Sequence, residues 1–193
     1  GLTWGRPQRL ISSPLINLST LVKSPAMLFV DGRLGLPAYH EWIGRFGEFL
    51  RIDASQVIDK RRMSSGRGAI QPVVFSDGPQ EASAFFRQTR SSSQPKQIPI
   101  SETKDAGQSW VVTTDLEIPN PNSALAALTL ANGARLMVLN NIEAGRYRLV
   151  MVMRESNSAQ WPVIQVLDDD ESLANDQRPE FSYPYLISAN GAD

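Results

Sequence analysis

Cysteine is absent from the 193 residues, and histidine occurs once, at His40. These absences exclude a disulfide framework, a cysteine nucleophile and a zinc site built from cysteine and histidine. A Ser-His-Asp triad is available only through His40. The acidic run DDDES (168–172) lacks the ligand spacing of an EF-hand, so we expect a solvated loop there. The sequence predicts no metal and no cofactor.

An excess of basic residues is also missing, since 19 lysines and arginines face 20 acidic residues and the net charge is -1. We therefore expect no nucleic-acid partner. No apolar run is long enough to span a membrane, and the first ten residues lack the apolar region of a signal peptide. If the protein is exported, we expect its signal upstream of residue 1. The sequence leaves localisation and oligomeric state open.

Turn dipeptides of the Asp-Gly or Asn-Gly kind follow apolar, β-rich runs at four places. They are Asp31-Gly32, Asp77-Gly78, Asn132-Gly133 and Asn190-Gly191. Such dipeptides supply the positive φ angles of tight hairpins, so each predicts a strand, a turn and a second strand. The turns stand roughly 50 residues apart, and repeats of this length built from short strands are typical of propeller blades.

A second repeated element ends in tryptophan. TKDAGQSW ends at Trp110, GLTW at Trp4 and RESNSAQW at Trp161. In the first of these, Asp105 is expected to accept bonds from turn amides and Gly107 to permit the tight bend. Trp110 is then expected to be buried between adjacent sheets. Little helix is expected: residues 36–50 have some helical spacing, but their glycines favour two strands with a turn.

The pattern S/T-x-D-x-G-x-x-W, with Thr103 in its first position, resembles the Asp box of sialidases. RGAIQPVVFSDG, IPNPNSALAALTLANGARLMVLNN and FSYPYLISANG resemble successive blades of the bacterial sialidase-like BNR-repeat proteins. The resemblance implies an all-β propeller of four-stranded antiparallel blades, six in the whole protein. It places three blades at about 14–64, 65–118 and 119–170, after the edge of an earlier blade. The first strands of the next blade fall at 180–193. We accordingly expect the chain to be part of a longer propeller and to aggregate when expressed alone, because open blades leave unpaired edges.

The resemblance also implies a site for a carboxylated sugar. Sialidases hold the sugar carboxylate with arginines, whose planar fork matches it, and use a tyrosine nucleophile paired with a glutamate. Tyr183 stands where the family has its tyrosine, and Arg87 and Arg146 stand where it has two of its arginines. Arg148, two residues further on, is the alternative to Arg146 because it shares the same strand face.

This sequence departs from the family pattern at the glutamate. Ala69, Ile70 and Gln71 occupy the stretch where it is expected, and none of them is a base. A tyrosine without a carboxylate partner is a poor nucleophile at its ordinary pKa of about 10.

A second pair of candidates for catalysis is His40 and Glu41. Adjacent strand residues point to opposite faces, so only one of the two is expected to reach the site unless the strand ends there. We assign Gln71, Asn120 and Asn122 to substrate binding, with turn formation as the alternative for the two asparagines.

Three functions remain open at this point. The first is a sialidase-like glycoside hydrolase that acts on an anionic or neutral glycan. The second is a non-catalytic propeller that binds carbohydrate or protein. The third is a polysaccharide lyase or another hydrolase on the same fold, with His40 or Tyr183 as base. Fold alone does not decide among them.

Overall fold

The computed structural model describes residues 3–13, 17–42, 44–90 and 95–188, and within them the chain is built from strands without a helix. The all-β prediction is therefore confirmed for these residues. The strands are β1 (Met27–Leu28), β2 (Leu34–His40), β3 (Phe46–Asp53), β4 (Gln56–Arg62), β5 (Ala69–Ser76), β6 (Ala82–Gln88), β7 (Gln97–Ile98), β8 (Ile100–Thr103), β9 (Val111–Val112), β10 (Leu116–Pro119), β11 (Ala126–Thr129), β12 (Arg135–Leu139), β13 (Arg148–Arg154) and β14 (Val163–Asp169).

The strands form three antiparallel groups of four. The first is β1–β2–β3–β4, the second β5–β6–β8–β9 and the third β11–β12–β13–β14, while β7 and β10 pair with each other. A single parallel bridge between Phe46 and Ala69 joins the first group to the second. β5 of the second group contacts β2 of the first group and β11 of the third group. One strand from each group therefore lies next to a strand of its neighbour. This arrangement brings the ends of strands from all three groups close together.

The predicted hairpin turns differ in the backbone φ angles of their glycines. Gly32 and Gly133 have φ of 77° and 83°, in the left-handed region that Asn-Gly and Asp-Gly turns use, and both join antiparallel strands. Asp77-Gly78 also joins two antiparallel strands, but Gly78 is outside that region. The turn is instead wider and is closed by the Asp77 amide, which donates to the Glu81 carbonyl at 2.9 Å. The turn predicted at Asn190-Gly191 lies outside the described residues.

Two hydrophobic clusters lie between the strand groups. One joins the first and second groups through Phe29, Phe49 and Met63 against Ala84 and Phe86. The other joins the second and third groups and contains Val73, Phe75, Phe85, Ile98, Leu125, Met137, Leu139, Val150 and Val152. The apolar side chains of neighbouring groups therefore pack face to face, which fixes how the groups are placed relative to each other.

The turn at residues 103–110 is closed by its own side chains. The Asp105 carboxylate accepts from the Thr103 hydroxyl at 2.8 Å and from the Ser109 amide and hydroxyl at 2.9 and 2.6 Å. Burial acts to raise the pKa of Asp105, but the bonds from Ser109 and Thr103 outweigh it and hold the pKa below its ordinary value. Trp110 is half-buried, not fully buried as expected, and its ring centroid lies 5.1 Å from that of Phe49 in the first strand group.

Within the described part of the chain, no helix has the length and apolar character needed to cross a membrane.

Candidate functional site

Arg87, near the end of β6, is the centre of a polar cluster. Its Nε donates to the side-chain oxygen of Asn122 at 2.8 Å, and its Nη1 donates to the side-chain oxygen of Gln71 at 3.2 Å. The same Nη1 lies 3.5 Å from the Tyr183 hydroxyl oxygen. Arg87 and Tyr183 are 96 positions apart in the sequence, so only the fold brings them together.

Arg146 joins this cluster through Asn122. Its Nη2 donates to the Asn122 backbone carbonyl at 3.1 Å, while the Asn122 side chain binds Arg87. The Nη1 of Arg146 donates to the Ser182 hydroxyl and to the Glu180 carboxylate, both at 3.2 Å. Asn122 therefore links the two guanidinium groups. We call Gln71, Arg87, Asn122, Arg146 and Tyr183 the arginine cluster.

Three members of the arginine cluster have a left-handed backbone. The φ angles are 51° at Gln71, 63° at Asn122 and 56° at Tyr183. The left-handed region is uncommon for non-glycine residues, and for glutamine and tyrosine it costs of the order of 1 kcal/mol or more. Such conformations collect at functional sites, where the surrounding structure holds a side chain in a required direction.

A bulge in β5 directs Gln71 into the cluster. The pairing of β5 with β6 shifts register between Ile70 and Val73, and Gln71 and Pro72 stand within this irregularity. An extra residue in one strand bends it and re-aims a side chain, and proline is tolerated there because it has no amide hydrogen to donate. The Gln71 side chain is almost fully buried and also donates to the Tyr39 hydroxyl at 3.4 Å.

The segment that carries Tyr183 is held by hydrogen bonds from two other parts of the chain. The buried side-chain amide of Asn140 donates to the carbonyls of Arg146 and Phe181 at 3.3 and 3.2 Å. Lys23 reaches the Leu125 carbonyl at 2.6 Å and the Pro184 carbonyl at 3.4 Å. Burial lowers the pKa of Lys23. Tyr183 itself remains 59% exposed, so its position depends on its backbone and on the hydrogen bond from Arg87 more than on packing.

The two tyrosines of this region have opposite electrostatic surroundings. The hydrogen bonds from Arg87 and Gln71 stabilise the Tyr183 phenolate and lower the pKa of that phenol below its ordinary value. Burial raises the pKa of Tyr39. Of the two, Tyr183 is therefore the one suited to react as a phenolate.

Glu41 faces the same region. It lines an open pocket of about 260 Å³ together with Arg45, Ile70, Arg87, Thr89 and Asn122. Its charge acts on both Tyr39 and Tyr183, where it opposes ionisation. No hydrogen bond is recorded for the Glu41 side chain within the described residues. It is thus a carboxylate that is available to a ligand.

His40 and Asn120 lie apart from the arginine cluster. The His40 Nε2 is 3.0 Å from the Glu48 carboxylate, and its ring stacks on Phe46. Because β2 ends at His40, strand alternation does not fix the direction of Glu41; the contacts separate the two, since His40 pairs with Glu48 and Glu41 lines the pocket with Arg87. Asn120 is fully buried and closes its own turn, since its amide donates to the Ser123 carbonyl and its oxygen accepts from the Ser123 amide. Asn120 therefore shapes the turn that presents Asn122.

Arg148, the alternative to Arg146, pairs with Asp169 at 3.5 Å. It belongs to β13, whereas Arg146 precedes that strand and points to the cluster. Sequence reasoning did not identify Tyr39, Asn140 or Arg45. A usable signal for Tyr39 was its place near the end of β2, two residues before the candidate Glu41, whose charge acts on it. Nothing in the local sequence marks Asn140, because its role is to donate a hydrogen bond to the carbonyl of Phe181, which is distant in the sequence.

Comparison with protein families gives a match along the whole chain. The model of the BNR repeat-like domain covers residues 1–193. The chain belongs to the BNR repeat-like family. A search of curated proteins found no match.

The BNR repeat-like chain also resembles solved sialidase structures. NanB sialidase from Streptococcus pneumoniae aligns over 84% of this chain and 25% of its own, with a TM-score of 0.60 and 15% identity. The Hadza microbial sialidase Hz136 aligns over 74% of this chain and 30% of its own, with a TM-score of 0.55 and 12% identity. The BNR repeat-like chain thus spans less than a third of these proteins. At this identity the likeness establishes the fold alone.

Proposed function

We propose that the arginine cluster binds the carboxylate of a sugar, and that this chain forms part of the active site of a sialidase-like glycoside hydrolase. Arg87 and Arg146 bind the carboxylate, and Gln71 and Asn122 orient the arginines. Tyr183 acts as nucleophile and Glu41 as the carboxylate that takes its proton. In this proposal His40 and Asn120 support the site without touching the sugar.

One observation carries the proposal: Asn122 binds both guanidinium groups, while Arg87 also reaches the Tyr183 hydroxyl. Two fixed positive charges favour a bound anion, and Arg87 beside the phenol favours the phenolate. A guanidinium presents parallel donors that match a carboxylate, and it stays charged at every physiological pH. The cluster is therefore suited to a sugar that carries a carboxylate.

We also propose that the three strand groups are three consecutive blades of a six-bladed propeller. They correspond to the ranges 14–64, 65–118 and 119–170, and 180–193 begins the next blade. Support comes from the four strands in each group and from the hydrophobic clusters between neighbouring groups. In a propeller, equivalent edges of successive blades meet at one mouth, which is where the arginine cluster forms.

The proposed reaction begins with attack by the Tyr183 oxygen on the anomeric carbon. A bond forms from tyrosine to sugar, the glycosidic bond breaks, and its electron pair leaves with the glycosidic oxygen. The phenolic proton passes to Glu41. Water then attacks the anomeric carbon and gives its hydroxyl to the sugar, while the Tyr183 oxygen leaves and takes its proton back from Glu41. The remaining proton of the water passes to solvent, so the phenol and the carboxylate are both restored. An aryl glycoside suits the test because an aryl oxide leaves without protonation.

Gln71 favours a second candidate function, which is binding without cleavage. It contacts the Tyr183 hydroxyl in the stretch where the family resemblance implies a glutamate. An amide cannot take the phenolic proton. If Glu41 does not serve in its place, the site binds a carboxylated sugar and does not hydrolyse it.

The full protein is tested for cleavage of a nitrophenyl sialoside. We expect turnover by the wild type and a loss of at least about a hundredfold in Tyr183→Phe, with affinity for sialic acid nearly unchanged. Tyr185→Phe is the matched control, since Tyr185 is equally exposed but outside the cluster. Turnover that survives in Tyr183→Phe would exclude this tyrosine as nucleophile.

Gln71→Glu distinguishes the two candidates. If the wild type binds sialic acid without cleaving the sialoside and this variant gains turnover, the binding function is correct for the natural protein. If the wild type already cleaves the sialoside, the hydrolase function is correct.

A further inference from the structure

A pocket adjoins the arginine cluster at Arg87 and Asn122. Its walls include Glu41, Arg45 and Thr89, and it shares Arg87 and Asn122 with the cluster. The volume of about 260 Å³ lies just below the range of small-molecule sites, about 300 Å³ and upward, and suits one sugar ring. A ligand bound by Arg87 and Arg146 would therefore enter this pocket if it continued by one more unit.

The backbone holds the positively charged wall of this pocket in place. The Gly68 amide donates to the Arg45 carbonyl at 2.5 Å, and the Thr89 amide donates to the Gly68 carbonyl at 2.7 Å. Three separate segments of the chain are thus fixed side by side. Gly68 is required here, because a Cβ at this position would lie 2.4 Å from the Arg90 side chain.

Two more arginines are chain neighbours of these segments, Arg67 beside Gly68 and Arg90 beside Thr89. Arg90 donates to the backbone carbonyls of Arg67 and Ser65, and its charge also acts on Asp115. Among the residues that the structure describes, no ion pair is recorded for Arg45 or Arg67, and both are exposed. Glu41 is the only acidic residue in the described lining of the pocket. The pocket therefore has a net positive wall beside one acceptor group.

We propose that this pocket is a second subsite for an acidic sugar unit, so that the natural ligand is an anionic oligosaccharide and not a single terminal sugar. Arg45 binds the carboxylate of the second unit. Glu41 and the Thr89 hydroxyl bind its hydroxyl groups. The proposal rests on the proposed function of the arginine cluster, since the first unit must be bound there.

The lining favours an acidic glycan over a nucleic acid. A phosphodiester chain has no hydroxyl-rich ring to offer Glu41. A sugar ring has several hydroxyl donors, and one carboxylate per unit matches one arginine per subsite. The protein also lacks the overall basic excess that nucleic-acid binding needs, with a net charge of -1.

Binding of α-linked sialic acid oligomers of one, two and three units to the full protein tests the proposal by calorimetry, with the oligomers measured in Tyr183→Phe, which should bind them without cleavage. We expect the affinity to rise about tenfold from one unit to two, as an added charge-assisted contact predicts. Arg45→Gln should remove this gain and leave the affinity for one unit within about twofold. Arg33→Gln is the matched control, since Arg33 precedes β2 at the end opposite Glu41.

The outcomes separate the two proposals. If the single unit does not bind the wild type, the proposed function of the arginine cluster is wrong. If it binds but the longer oligomers bind no better, or if Arg45→Gln keeps the gain, the second subsite is wrong while the first stands. Carboxyl-reduced dimer that binds as well as the acidic dimer would also overturn the second subsite. The second subsite would likewise be overturned if a short single-stranded oligonucleotide competed for the protein as well as the acidic dimer does.

Discussion

The 103–110 turn and the arginine cluster are both polar networks, but they are built in opposite ways. The turn satisfies Asp105 with groups from within four residues of it. The cluster joins side chains from residues 71 to 183, and it keeps donors and an exposed phenol directed to solvent. A network that closes on itself stabilises the fold. One with groups left for a ligand is suited to binding.

The largest expected effect comes from breaking the turn at Gly107. Its φ is 79°, and a Cβ there would lie 2.5 Å from a ring carbon of Phe49. Gly107→Ala should therefore lower the free energy of unfolding by about 3 kcal/mol, from backbone strain and overpacking together. Gly133→Ala is the matched control, with φ of 83° but its nearest neighbour at 3.7 Å, and should cost only about 1 kcal/mol. Urea unfolding measures both, and equal losses would contradict the steric argument.

Asp105→Asn should lower the free energy of unfolding by about 1–2 kcal/mol near neutral pH, because the amide nitrogen cannot accept from Ser109. The pKa of Asp105 is lowered in the fold, so its contribution is fully present above the unfolded pKa of about 3.9. It is lost as the pH falls through the folded pKa. The difference between wild type and variant should shrink in acid. A difference that is constant with pH would show that the charge is not involved.

Within the cluster, Arg87→Gln should raise the pKa of Tyr183. The bond from Arg87 is the largest cause of the lowered value, and the variant removes both that bond and the positive charge. The alkaline rise of kcat/KM with a nitrophenyl sialoside should move to higher pH as a result. Arg148→Gln serves as control, because Arg148 pairs with Asp169. An unchanged pH profile of kcat/KM in Arg87→Gln would show that this arginine does not affect the ionisation of the Tyr183 phenol.

The smallest effect is expected at Glu180, whose carboxylate lies 3.2 Å from Arg146 Nη1 and is 69% exposed. An exposed pair of this kind contributes little to stability. Glu180→Gln should therefore leave the free energy of unfolding within about 0.5 kcal/mol. Affinity for sialic acid should rise about threefold, because the carboxylate no longer competes for Arg146. Weaker binding by this variant would indicate that Glu180 itself contacts the sugar.

The same contrast explains what the sequence could predict. The 103–110 turn is local, so the spacing of Thr103, Asp105 and Gly107 was enough to predict its bonds. The hairpins at Gly32 and Gly133 followed from local turn chemistry in the same way. The conformation at Gly78 was not predicted in this way, because the turn from Asp77 to Glu81 is wider than the Asp-Gly dipeptide suggests.

The arginine cluster depends on how three strand groups pack, which local patterns do not encode. Resemblance to a family suggested Arg87, Arg146 and Tyr183, and the structure brings them together. It did not suggest that Asn122 links the two arginines or that a bulge directs Gln71 between Arg87 and Tyr39. Strand alternation could not decide between His40 and Glu41 because β2 ends at His40, and only the fold shows that Glu41 is the one at the pocket.

The central claim is that the arginine cluster recognises a carboxylate, and calorimetry of the full protein with sialic acid and with its methyl ester tests it most directly. The account predicts that the wild type binds the acid at least about tenfold more tightly than the ester, because the ester cannot pair with two guanidinium groups. Arg146→Lys should reduce this preference, since an ammonium lacks the planar fork. Equal affinity of the wild type for acid and ester would contradict the account.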